Sequence, residues 1–285
     1  MKVIPFNVPH TSREAFRSQV DRLPHFYNAL HAHPEIQIML ILKSEGTLIA
    51  GDYVGRFEAG DLYVMGSNLP HVFRNDKAYY QSRQKLKALS ISLYFNQHYL
   101  GDHFWELDEM GPVRSFVEKA NKGYKVEGKT KTEIAEKIIR IPKLAGIEKI
   151  ISLFEILQLL TASKNLKSLS VSNQKSYSEG EGKRMNNILH FTFQQSHRKI
   201  YIEEVADIAN LSTEAFCRYF KIRTRKTYTN FLNEVRISNA CKLLINEDQS
   251  IQDVCFQVGF SNLSNFNRVF KKITGKTPSN YVDRE

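Results

Sequence analysis

IQDVCFQVGFSNLSNFNRVFKKITGKTPSNYV, residues 251–282, has a counterpart earlier in the chain: IEEVADIANLS at 202–212, followed by FCRYFKIRTRKTYTNFL at 216–232. Phe216 answers Phe266, Arg218 answers Arg268, Phe220 answers Phe270 and Thr227 answers Thr277. Each copy opens on a short amphipathic helix, with Ile202, Val205, Ala206 and Ala209 in the first and Ile251, Val254, Cys255 and Val258 in the second at i, i+3, i+4 and i+7. Asn210 and Gly259 then stand where a chain leaving a helix turns left-handed, the conformation these residue types tolerate best. Ser212 and Ser261 follow as candidate N-caps of a second helix. Each copy therefore reads as helix, tight turn, helix.

The second helix of each copy has two faces. Phe216, Tyr219 and Phe220, and in the repeat Phe266, Val269, Phe270 and Ile273, form an apolar stripe that belongs to a core. On the other side lie Glu214, Cys217, Arg218 and Lys221, answered by Ser264, Asn267, Arg268 and Lys271, with Asn265 and Lys272 beside them. A polar stripe on one helix is ordinarily a solvated face. Here it recurs after the same turn, and it carries the side chains suited to base edges: Arg forks onto guanine and Asn onto adenine in the major groove. A connecting helix over Tyr228–Asn246 spans about 28 Å at 1.5 Å per residue, near the ~34 Å repeat of the major groove along one face of DNA. The excess of 40 Lys and Arg over 30 Asp and Glu, a formal charge of +10, favours a polyanionic partner.

Residues 185–282 resemble the DNA-binding domain of the AraC/XylS family of transcription regulators, the second copy over its whole length. The resemblance assigns base contact to Glu214, Cys217 and Arg218 in the first copy and to Leu263, Ser264, Asn265 and Arg268 in the second. It implies double-stranded DNA, RNA polymerase and a small-molecule effector, such as a sugar or other small metabolite, as partners of a homodimeric regulator, an activator or a repressor. This chain departs from the family at Arg225, where glycine is common, and at Tyr201, where a capping Ser or Thr is usual.

Ahead of the repeat, residues 25–95 read as short strands: Ile36–Leu42, Thr47–Ile49, Asp61–Met65 and Ala88–Phe95, broken by glycines and Pro70. An antiparallel β-barrel or sandwich is expected. Helical patterns follow near 112–122, 130–140 and 145–162. The last is apolar on more than one face, which suits either packing on its own barrel or the seam of a dimer. Residues 163–184, SKNLKSLSVSNQKSYSEGEGKR, have the composition of a solvated linker. The expected order is a sensor over 1–110, a helical dimerisation element over 111–162, a linker over 163–184 and an all-α double helix-turn-helix over 185–285.

The N-terminal segment resembles the cupin-type sensor carried by many such regulators, through His31-Ala32-His33-Pro34-Glu35, Gly46, Gly60-Asp61 and Asn68-Leu69-Pro70-His71 to Asn75. In cupins the paired and the later histidines ligate a metal with a nearby carboxylate. By that resemblance His31, His33 and His71 are candidate ligands of a divalent transition metal. Gln37 occupies the place of the usual Glu, and Glu35 stands two residues from His33. The other reading of the same histidines is hydrogen bonding inside the barrel or to an uncharged effector, in a pocket bounded by His31, His33, Glu35, Gln37, His71 and Tyr27. A ligand-responsive regulator without catalytic activity is thus weighed against a cupin metalloenzyme fused to a DNA-binding domain, and against a constitutive DNA binder whose barrel only dimerises. Cys217, Cys241 and Cys255, the three cysteines, show no CxxC spacing, so neither a zinc module nor a disulfide framework is expected. No apolar run reaches 18 residues and the first ten residues are broken by Pro5 and Pro9, so a cytoplasmic protein is expected.

Overall fold

Alternation with a period of two governs the N-terminal half. In the computed structural model, which describes residues 4–5, 14–80, 86–96, 100–170, 179–246 and 249–282, the strands are β1 (Ile4–Pro5), β2 (Arg17–Leu23), β3 (His31–Ala32), β4 (Ile36–Lys43), β5 (Gly46–Ala50), β6 (Tyr53–Phe57), β7 (Leu62–Met65), β8 (His71–Asn75), β9 (Ala88–Phe95), β10 (Tyr124–Val126) and β11 (Leu166–Ser168). Among the described residues they form two sheets, ordered β1-β3-β8-β5-β6 and β11-β10-β7-β4-β9-β2. β1 pairs with β3 in parallel, while β2 with β9, β3 with β8, β4 with β7 and β9, β5 with β8, and β10 with β7 and β11 pair antiparallel. The expected antiparallel, strand-rich region is present, but as two sheets and not as one closed barrel. β2 was not legible as a strand, because RSQVDRL is an edge whose side chains stay half-exposed or exposed. It is fixed by register with β9 from Arg17↔Tyr94 to Leu23↔Ala88.

The alternation sorts side chains between two cores. Ile36, Ile38 and Leu40 of β4, Leu62 and Val64 of β7, and Ile91, Leu93 and Phe95 of β9 share a core with the helices. Met39, Ile41, Tyr63 and Met65 point the other way and pack with Leu48, Ala50, Phe57 and Phe73 of the five-stranded sheet. The helices of this half are α1 (Asp102–Glu106), α2 (Gly111–Lys119), α3 (Gly128–Arg140) and α4 (Gly146–Ala162).

Residues 2–53 and 57–178 make up one compact unit and residues 179–285 another. The helices expected as a separate dimerisation element belong to the first unit. Leu153, Ile156, Leu157 and Leu160 of α4 are buried in the strand core, and Phe154 meets Phe104 edge-on at 5.6 Å. The large apolar side chains that α4 leaves exposed are Ile147 (67%) and Ile151 (50%). In the stretch read as a linker, Leu166–Ser168 pairs with β10 as β11 and 179–184 opens a helix, while 171–178 lie outside the described residues.

The second unit consists of α5 (Glu179–Gln195), α6 (Ile202–Ile208), α7 (Thr213–Thr224), α8 (Tyr228–Asn246), α9 (Ile251–Gln257), α10 (Leu263–Thr274) and α11 (Pro278–Val282). Cores form around each copy of the repeat. Phe216, Phe220, Tyr228 and Phe231 gather with neighbouring rings 5.3–6.4 Å apart. Val254, Cys255, Phe260, Phe266, Val269 and Phe270 pack on Ile237, Ala240, Cys241 and Leu244 of α8. No helix among the described residues is long and apolar enough to cross a membrane.

Candidate functional site

The two helix-turn-helix copies are built as their sequences indicate, with differences in detail. Asn210 (φ 51) and Gly259 (φ 97) take the left-handed conformation in the turns. Ser212 caps α7 by accepting from Ala215 N–H. For α10 the expected cap was Ser261, but the cap is Asn262, whose Oδ1 accepts from Asn265 N–H at 2.9 Å. The repeat is offset by 49 residues before the turn and by 50 after it, so the second turn is one residue longer and the cap moves with it. At Tyr201 no side chain caps α6 from the usual position; Glu204 reaches back to accept from Tyr201 N–H at 2.8 Å. Arg198 holds that carboxylate at 2.7 Å.

On α7, Glu214, Cys217, Arg218 and Lys221 are exposed, and on α10 so are Ser264, Asn265, Asn267, Arg268 and Lys271. Arg268 Nη2 donates to Asn265 Oδ1 at 2.8 Å, so these two side chains act as a pair on the open face. Two residues sit differently from expectation. Leu263, given a base contact by resemblance, is half-buried against the apolar core of its own copy. Ile273, read as core, is 39% exposed.

The N-terminal candidates come together between the two sheets. β3 and β8 pair His31 with His71, and β4 pairs Gln37 with Tyr94 of β9. Ring centroids lie 4.4 Å apart for His31 and His71, 5.2 Å for His33 and His71, and 6.1 Å for His31 and His33. Each Nδ1–H is engaged by a backbone carbonyl: His31 by Ala29, His33 by Glu35 and His71 by Leu69, at 2.8–2.9 Å. That favours the Nδ1–H tautomer and a lone pair on Nε2 for His31 and His33, whereas His71 faces an acceptor at each nitrogen, Leu69 O at Nδ1 and Gln37 Oε1 at Nε2. Burial disfavours the imidazolium, lowering His31 to about 4 and holding His33 and His71 below the usual histidine range. All three are neutral at pH 7.

Gln37 Nε2 donates to Ser92 Oγ at 3.0 Å and to Tyr94 Oη at 3.1 Å. Its Oε1 is thereby turned toward the histidines, 3.1 Å from His71 Nε2. Glu35 is buried, with Oε2 3.6 Å from His33 Nδ1. Tyr27 is half-open to solvent, its ring edge-on to His31 at 5.1 Å. A cavity of about 420 Å³ opens beside this cluster, bordered by His31, Gln37, His71, Tyr94, Tyr27 and Asp21. Sequence reading missed Ser92, Tyr94 and Asp21. The first two were signalled by ALSISLYF, in which Ser90, Ser92 and Tyr94 alternate with the apolar residues and so share the inward face.

Comparison with known proteins agrees with the geometry of the second unit. A helix-turn-helix domain family matches residues 205–284. An HTH-type transcriptional regulator of Bacillus subtilis, YdeC, is 24% identical over 274 residues, covering 93% of this chain and 90% of its own length. The MmsAB operon regulatory protein of Pseudomonas aeruginosa is 34% identical over 88 residues, 31% of this chain and 29% of its own. The structure of a probable AraC family transcriptional regulator from Rhodopseudomonas palustris superposes with a TM-score of 0.34 at 22% identity, covering 36% of this chain and 96% of that one. The repeated helix-turn-helix and the domain family it matches identify residues 205–284 as a helix-turn-helix DNA-binding domain, and the chain as a whole is similar to an HTH-type transcriptional regulator.

Proposed function

We propose that DNA binding by this regulator is controlled by a small molecule held in the N-terminal cavity, with the first unit serving as a cupin-like sensor. The observation that carries this reading is the cavity of about 420 Å³ beside three buried, neutral histidines. A pocket with apolar walls and a few oriented polar groups is the usual form of a small-ligand site. Gln37, His71 and Tyr94 supply those polar groups. The exposed stripes of α7 and α10 read bases, and the regulator works in the cytoplasm as a homodimer that engages RNA polymerase. For the dimer, the surface that supports association is the solvent face of α4 around Ile147 and Ile151, since Phe154 and Leu157 pack in the core.

A second reading of the histidines has its own observation. One ring nitrogen from each of His31, His33 and His71 lies within 4.8 Å of the others. The residues fit a divalent transition metal: they are neutral, buried, and oriented through Nδ1 by carbonyls, the arrangement that commonly holds ligating imidazoles. Bound there, the ion would supply a Lewis-acidic contact for an oxygen or nitrogen of the effector.

The experiment uses full-length protein and a duplex enriched by it from a random pool. Small metabolites are screened for a shift in melting temperature, then for a change in affinity for that duplex. A compound that does both with the wild type but neither with His71→Ala or Gln37→Ala supports the reading. If no compound alters DNA affinity, the protein is a constitutive binder. Metal analysis of the same preparation separates the two histidine chemistries: near-stoichiometric metal supports ligation, and its absence after exposure to zinc, nickel or iron leaves hydrogen bonding to the effector.

A further inference from the structure

Between α5 and α6, Ser196, His197 and Arg198 lie against both copies of the repeat. On the side of the first copy, Arg198 clamps Glu204, the carboxylate that caps α6. On the side of the second, Arg236 reaches across from α8. Its Nε donates to Ser196 O at 2.8 Å and its Nη2 to Arg198 O at 2.7 Å. The same guanidinium lies over the Phe260 ring at 5.6 Å, and Phe260 packs on Phe266 of α10 with ring centroids 5.3 Å apart. Asn239 adds a bond from Nδ2 to Ser196 Oγ at 3.4 Å. The loop comes so close to the second turn that a Cβ on Gly259 would stand 2.4 Å from Ser196 O and 2.9 Å from the carbonyl carbon of His197.

α8 alone links the copies covalently and sets their separation. Each copy packs on its own stretch of that helix, and a rotation of one reader against the other takes α7 or α10 out of its groove. A second, non-covalent connection fixes that angle. Three-way engagement of one guanidinium, by two carbonyls and a ring face, suits the task, because the planar fork locks direction as well as distance.

We propose that Arg236 is the positioning residue that sets the angle between the two DNA-reading helices, and hence the spacing of half-sites the protein accepts. The proposal rests on α7 and α10 both reading bases, and Arg218→Ala and Arg268→Ala test that premise separately, each losing discrimination within its own half-site.

The test uses the full chain and a duplex enriched by it from a random pool, with three derivatives: one half-site scrambled, and the interval between half-sites lengthened or shortened by one base pair. Arg236→Met keeps the apolar stem over Phe260 and removes the fork; Arg236→Lys keeps the charge and one donor. For Arg236→Met, affinity for the intact duplex is expected to fall about tenfold or more, since two linked readers lose part of their effective concentration. Affinity for the single half-site should stay as in the wild type, and the penalty for altered spacing should shrink. Arg236→Lys should lie between. Unchanged two-site affinity and spacing preference in Arg236→Met would overturn the proposal. So would equal loss on one-site and two-site duplexes, which marks a residue that only holds the fold, a role that circular dichroism and melting temperature would also register.

Discussion

Arg268 and Lys271 share the open face of α10 but stand at different depths along it. Arg268, paired with Asn265 near the helix start, is placed for a base edge, and Arg268→Ala should cost about 1–3 kcal/mol of specific binding, concentrated at one base position. Lys271 lies a turn further from the end that enters the groove. Lys271→Ala should weaken all sequences alike and lower the slope of log affinity against log salt by about one. Titrations of selected and mismatched duplexes at several salt concentrations distinguish the two. Arg225 is a residue-level departure with a stability consequence. It ends α7 in the left-handed conformation (φ 58), where Gly275 (φ 79) ends α10. A Cβ is penalised there, so Arg225→Gly should raise the stability of the helix-turn-helix unit by up to about 1 kcal/mol in denaturant unfolding. The buried histidines add a pH dependence in metal-free protein. Their pKa values are lowered by folding, so the unfolded state takes up protons first. The stability they contribute is whole above about 6.5, the ordinary histidine value, and is lost as pH falls toward the value of about 4 for His31. Melting temperatures between pH 7 and 4 should fall less steeply for His71→Gln than for the wild type.

At the scale of elements, α4 shows how one helix serves two environments. Its apolar residues cover more than one face, and the sheet takes only the stripe containing Leu153, Ile156, Leu157 and Leu160. Ile147 and Ile151 lie one turn apart on the side left open. If that face is the dimer seam, Ile147→Asp with Ile151→Asp should shift sedimentation from dimer to monomer without lowering helical content. Phe154→Asp or Leu157→Asp should unfold the first unit instead, because each places a charge in the strand core. Persistence of the dimer in the Ile147/Ile151 variant assigns the seam elsewhere. The recognition helices were legible as elements because polar and apolar residues recur at helical spacing in both copies. β2 was not, since an exposed edge strand needs no alternation and its structure comes from pairing with β9.

At the scale of the whole molecule, the chain joins a strand-rich unit to a helical one, with the change of unit between Ser178 and Glu179. Residues 179–285 contain the complete cores of both helix-turn-helix copies, including Met185, Ile188 and Leu189 of α5, all buried. Expressed alone, they should fold with full helical content and bind DNA, while losing any response to effector; a fragment that stays unfolded would show that the copies depend on the first unit. What the sequence by itself determined is the repeated part: the turn residues Asn210 and Gly259, the aromatic stripes and the polar faces are local features, each dictated by backbone preference or helical period within some thirty residues. Only the tertiary structure decided what depends on contacts between distant segments. It separated the strands into two sheets, turned Gln37 toward the histidines through Ser92 and Tyr94, sent Leu263 inward, and brought Arg236 onto the loop at 196–198. Residue spacing carries the period of an element, but not which side chain from elsewhere in the chain will fill the space its face leaves open.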